Sequence, residues 1–154
     1  MLFTSGRLGY SLLQNAVRSH NPDVVELLLK GGADANIQNR FSSTILQEGM
    51  ESSSLNIAKL LISHGADVNA LDRAGDSPLH KVALFQNPDM SRLSFGHDAD
   101  VTAQDDKGQT PFSVALANEH HTLLILFLFL SFFLFLNAFY SQQLNMYSTT
   151  IYRK

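Results

Sequence analysis

No cysteine occurs anywhere in this chain. That absence removes disulfides, thiolate metal sites and thiol catalysis together. No run of five or more Lys or Arg is present, and a net charge of −3 is too mild to point to nucleic acid. There is no Asn-x-Ser/Thr acceptor, and the N-terminal residues lack the basic-then-apolar pattern of a leader. A cytoplasmic protein is therefore expected. No glycine-rich phosphate loop and no G-x-S-x-G elbow is found. The histidines do not gather into a ligand set. His120 and His121 are adjacent, so on a helix they diverge by about 100° and cannot share one metal. His20, His64 and His97 fall one per unit of the pattern described next. No enzyme activity, no metal and no cofactor is expected.

The chain does have a period. Gly32-Ala33-Asp34-Ala35-Asn36, Gly65-Ala66-Asp67-Val68-Asn69 and Asp98-Ala99-Asp100-Val101-Thr102 follow one another at 33-residue intervals. A fixed period of this size means stacked supersecondary units, whose shared core forms only when neighbours pack. Other segments keep the same register. Gly6-Arg7-Leu8-Gly9-Tyr10-Ser11, Asp72-Arg73-Ala74-Gly75-Asp76-Ser77 and Asp105-Asp106-Lys107-Gly108-Gln109-Thr110 share a tip glycine followed by Ser or Thr. Ser77-Pro78-Leu79-His80 and Thr110-Pro111-Phe112-Ser113 come next, with weaker echoes at Ser11-Leu12-Leu13-Gln14 and Thr44-Ile45-Leu46-Gln47. Val24-Val25-Glu26-Leu27-Leu28-Leu29 and Ile57-Ala58-Lys59-Leu60-Leu61-Ile62 mark a second helix.

These elements resemble the ankyrin repeat. The resemblance implies an all-α repeat solenoid of helix-turn-helix units with β-hairpin loops. It covers Gly6 to about Leu128 in units of about 6–38, 39–71, 72–104 and an incomplete 105–128. Local physics agrees with it. Ser or Thr before Pro caps a helix whose first position tolerates proline. Gly32 and Gly65 stand just past apolar runs, where a left-handed residue ends a helix. The nearly all-apolar segment from Val24 to Leu29 is expected to be buried by both flanking units.

The array is uneven. The second unit lacks the Pro and the His and carries Gly49 inside its first helix, at a cost of about 1 kcal/mol relative to Ala. In the third unit Ser91 and Ser94 take outer-helix positions that are usually apolar, and Asp98 stands where the capping glycine belongs. Units two and three are expected to open first. No polar capping helix precedes Gly6, which reads as a piece of a longer repeat protein or an unusual gene model.

Function follows from the family geometry. The resemblance implies a protein–protein interaction module (an adaptor, scaffold or inhibitor) that holds its partner on the concave face, where loop tips and inner helices meet. In this chain that face offers Arg7, Tyr10, Arg18, Arg40, Phe41, Arg73, Asp76, Leu84, Phe85, Asp106 and Lys107. Aromatic residues and arginine dominate interface energies, so Tyr10, Arg40, Phe41, Arg73 and Phe85 are the expected anchors. The array itself is expected to be a monomer. The resemblance also implies that His80 braces a loop through a hydrogen bond. It implies the same for Asn36 and Asn69, at a position that in many members is a target of an asparaginyl hydroxylase.

From Leu123 to Leu136 every residue but Ser131 is apolar, and Asn137-Ala138-Phe139-Tyr140 extends the run to 18 residues. All 14 acidic residues precede it, and only Arg153 and Lys154 are charged after it. Three readings stand: a membrane helix, which needs about 20 apolar residues; translation of a pyrimidine-rich intron end; and a buried terminal helix. The first makes the protein a membrane-tethered adaptor. Residues 141–154 are polar and read as disordered.

Overall fold

Each repeat begins where a hydroxyl side chain stops the chain from continuing as a loop. Thr44, Ser77 and Thr110 each accept a hydrogen bond from the backbone N–H three residues on, and the side chain at that third position returns a bond to the cap's own N–H. Two orphan donors at each helix start are thereby satisfied. The computed structural model describes the backbone of residues 12–151 and the side chains of residues 12–133, 136 and 139–141.

Among the described residues eight helices follow in order: α1 (Leu12–Arg18), α2 (Pro22–Lys30), α3 (Ile45–Glu51), α4 (Leu55–Ser63), α5 (Pro78–Phe85), α6 (Pro88–Phe95), α7 (Pro111–Ala117) and α8 (His121–Ile151). Odd-numbered helices form an inner row and even-numbered helices an outer row, each pair packing on the next. Among the described residues there is no strand, only an isolated antiparallel bridge between Gln38 and Thr44. The hairpins implied by the family resemblance are here tight turns.

The core runs unbroken along the stack. Leu13, Val17, Val25, Ile45, Leu46, Met50, Ile57, Leu61, Leu79, Val82, Met90, Ala115 and Leu123 are all essentially inaccessible to solvent. The outer helices bury only one face, contrary to the expectation for Val24 to Leu29. Leu27 is 71% exposed and Val24 is 40% exposed, whereas Val25 and Leu29 are buried. An outer helix meets its own inner helix and its neighbours in the row, but its convex side has no partner.

Gly49 has a packing consequence beside its poor helix propensity. A Cβ there would stand 3.3 Å from Leu61 Cδ1 and 3.6 Å from Ile57 Cγ2, so its absence lets α3 and α4 approach. Ser91 and Ser94 are also less disruptive than their polarity implies. Both are buried, and their hydroxyls donate to the carbonyls of Asn87 and Met90 within α6. Asp98 does adopt the left-handed conformation of the glycines it replaces, at φ 59° against 85° for Gly32 and Gly65.

The last unit ends without a capping helix of its own length. Leu123 and Phe127 of α8 are buried against the stack, with Phe127 edge-on to Phe95 at 5.4 Å and to Phe112 at 6.1 Å. The helix then continues for 31 residues in all, about 46 Å at 1.5 Å per residue. Beyond the stack Phe129, Phe132 and Phe133 are 70%, 60% and 54% exposed. Of residues 141–154, expected to be disordered, 141–151 belong to this helix, and 152–154 lie outside the described residues. Among the described residues no helix is long and apolar enough to cross a membrane. In the sequence, the apolar run itself goes on through positions 134 and 135.

Candidate protein-binding face and its central cleft

The loop tips are built the same way three times. Asn39, Asp72 and Asp105 each donate their N–H to the carbonyl four residues on, at 2.9, 3.0 and 2.9 Å. The side-chain oxygen of each also accepts two N–H groups inside the turn: Phe41 and Ser43, Ala74 and Asp76, Lys107 and Gln109. These Asx turns hold the tips rigidly out from the stack. Neighbouring tips are stitched together as well. The N–H of Asp106 donates to the Ala74 carbonyl at 3.0 Å, and Arg73 donates from its side chain to the Arg40 carbonyl at 3.1 Å.

Behind the tips, buried polar side chains tie each unit to the next. His80 Nδ1 accepts the Ser77 N–H at 3.1 Å, which leaves Nε2 as the donor to the Gln109 carbonyl at 2.9 Å. One period earlier Gln47 does the same work: its Oε1 accepts from the Thr44 N–H, and its Nε2 donates to the Asp76 carbonyl at 2.6 Å. The second unit therefore lacks the histidine but keeps its bond. Asn36 and Asn69 form a further ladder. Each donates to the carbonyl of the next unit's capping residue, Gly65 or Asp98, and accepts from the N–H of Asp67 or Asp100. This is the loop-bracing role that the family resemblance implied.

Three matching copies of turn and capping box, joined by cross-unit bonds that each recur twice, all 33 residues apart, decide the family. A family model described as ankyrin repeats, in three copies, matches residues 13–105. The chain belongs to the ankyrin repeat family. No curated protein matches it. Ankyrin repeats are in general protein–protein interaction modules, typically without catalytic activity of their own.

On this ankyrin scaffold the expected binding residues divide into distinct roles. Arg7 and Tyr10 lie outside the described residues. Arg40, Phe41, Arg73, Asp106 and Lys107 stand exposed on the tips, with Phe41 at 54%. The Arg40 guanidinium lies 4.9 Å from the centroid of the Phe41 ring, a cation–π contact that braces the aromatic. Arg18 and Leu84 occupy equivalent positions at the ends of α1 and α5, with Phe85 just beyond Leu84. All three are exposed. Glu51 is the matching residue of α3. The inner stripe thus runs basic, acidic, apolar along the stack.

Asp76 is the exception. Its carboxylate is bound to Lys81 at 2.7 Å, and Lys81 also meets Asp72 at 2.8 Å. Burial works against the Lys81 charge, yet its hydrogen bonds to both aspartates hold its pKa above the usual lysine range. Burial likewise pushes Asp72 up, but the bond from Lys81 and those from the Ala74 and Asp76 N–H groups bring it below the usual range. Asp76 is held within the fold.

Between these features lies a cleft of about 550 Å³, lined by Arg18, His20, Asn39, Phe41, Ser43, Glu48, Glu51, Ser52, Asp72 and Lys81. Reading the sequence missed Glu48, Asp72 and Lys81. Their one signal was the spacing of Asp72, Asp76 and Lys81 across a turn and the start of a helix, which repeats in no other unit. Among the described residues no group of three His, Asp or Glu could hold a metal.

Proposed function

We propose that this protein is an adaptor or scaffold that binds one partner protein on the concave face of its stack. The observation that carries the reading is the exposure of Phe41, Leu84 and Phe85 on the same stack as the charged tips. They stand on turns and helix ends that are hydrogen-bonded in place before any partner arrives. Preorganised aromatic anchors lose little entropy on binding, and such residues supply most of the energy of an interface. Replacing Phe41 and Phe85 together by alanine leaves the thermal melt of the array nearly unchanged, because both rings are about half exposed. The same pair of changes weakens a partner recovered by pull-down by about tenfold or more. Retention of full affinity by the double variant sinks the concave-face reading.

A second reading adds a bilayer. Exposed Phe129, Phe132 and Phe133 continue the apolar run beyond the stack, which supports a membrane-associated adaptor tethered through Leu123–Tyr140. The test is carbonate extraction of the full chain beside a version stopped after Leu130. That boundary keeps Leu123 and Phe127, which the stack buries. Retention of the full chain with membranes, and release of the shortened one, is the expected outcome of tethering. Equal solubility of the two rejects it.

A further inference from the structure

We propose that the central cleft of the concave face receives one basic side chain, Lys or Arg, of the partner polypeptide, its cation held between Glu48 and Glu51 and its stem laid along Phe41. The inference rests on the concave-face reading and gives that face a chemistry.

Charge is the first argument. Lys81, the cation at the floor of the cleft, already has two carboxylate partners in Asp72 and Asp76. It is also the strongest charge acting on Glu51, whose pKa it lowers, yet burial outweighs it. Arg18 at the rim is the other basic side chain of the lining, and its electrostatic effect on Glu51 is the weakest of those acting there. Desolvation is the largest influence on Glu51; against the lowering by Lys81, and with the charges of Glu48 and Asp72 added, it leaves the pKa above the usual carboxylate range. The cleft holds surplus negative charge that a visiting cation would relieve.

The second argument is an orphaned acceptor. Glu48 uses Oε1 to accept a 2.8 Å bond from Asn39 Nδ2, while its Oε2 is buried with no hydrogen-bond partner. A buried carboxylate oxygen left unpaired costs roughly 1–3 kcal/mol or more, so such atoms are normally satisfied. Glu48 and Glu51 stand three residues apart on α3 and therefore on one face. Both line the cleft.

Shape selects the occupant. The unpaired Glu48 oxygen, which meets a cation only when its side chain turns into the cleft, and the exposed carboxylate of Glu51 suit the directional N–H donors of an ammonium or guanidinium group. A divalent cation such as calcium asks for six to eight oxygens, which this lining does not supply. The exposed Phe41 ring forms an apolar wall beside the acids, fit for the methylene stem that Lys and Arg both carry. Arg40 already shows that a guanidinium sits well against this ring, at 4.9 Å.

The test follows the glutamate carboxyl carbons of the full chain by carbon NMR during titration with capped tripeptides. Ac-Gly-Lys-Gly-amide and Ac-Gly-Arg-Gly-amide are the probes, with norleucine and glutamate at the central position as controls and propylamine as a bare ammonium. The expected result is a saturable shift of Glu48 and Glu51 with the basic peptides only. Affinity should fall about tenfold or more in Glu51→Gln, a change on an exposed side chain that spares the fold, and further with Glu48→Gln added. Four outcomes overturn the proposal: no saturable shift, an equal response to norleucine, undiminished binding by the glutamine variants, or propylamine binding as tightly as the peptides. The Phe41/Phe85 pull-down separates the two readings. If it succeeds while the basic peptides fail, the face stands and the cation pocket falls.

Discussion

Gly75→Ala is expected to destabilise the array by about 3 kcal/mol, whereas Gly108→Ala one period later costs about 1 kcal/mol. Both glycines hold the left-handed conformation, at φ 77° and 73°. An alanine there carries the same backbone penalty of roughly 1 kcal/mol in each case. Their surroundings differ. A Cβ on Gly75 would lie 2.8 Å from the backbone nitrogen of Asp106 and 2.9 Å from its carboxylate, while one on Gly108 would meet nothing within 4 Å. The obstruction is main chain of the next loop, which cannot rotate aside. The 3.0 Å bond from Asp106 N–H to the Ala74 carbonyl would also be strained. Overpacking of this kind typically adds 1–3 kcal/mol. Chemical denaturation followed by circular dichroism reads the difference. Equal losses at the two positions would mean that the tips do not press on one another.

Leu61→Ala is the other change of large effect, at about 2–5 kcal/mol. Leu61 is fully buried, and its Cδ1 lies against the α3 backbone at Gly49, where a Cβ would be only 3.3 Å away. No neighbouring side chain projects from Gly49 to fill the resulting space. The lesion sits in the second unit, and each unit of a repeat array is held only by its neighbours. Losing that interface uncouples the first unit from the third, so the transition should broaden as well as shift. Leu27→Ala, on a side chain 71% exposed, is the control and should stay within about 0.5 kcal/mol. A sharp, unshifted melt of the Leu61 variant would contradict a single continuous core.

Both effects depend on contacts between units, which marks the boundary of what can be read from residues in a row. The period was legible because every unit must repeat the same caps and turns, and Ser77-Pro78, Gly32 and Gly65 write those down locally. Gln47 was visible only as a weak echo of His80. Its equivalence emerged when its amide was found on the Asp76 carbonyl, 29 residues away in sequence. The candidate face was likewise half legible. The tips and inner-helix ends could be numbered from the period, and Arg40, Phe41 and Phe85 are exposed as expected. Asp76 could not be sorted from them, since its sequence position is a tip position and only Lys81 draws it inward.

The chain by itself determined the repeat, its register, the inner and outer helices and the apolar run after His121, because local propensity, capping and hydrophobic pattern act between residues close in sequence. Tertiary structure decided what those residues face. It turned Gly49 from a weak point into a point of close approach, and it buried Leu123 and Phe127 while leaving Phe129 in solvent. It also brought Arg18, Glu48, Glu51, Asp72 and Lys81 from three units around one cleft. Burial and charge balance are properties of neighbours in space, and stacking chooses those neighbours.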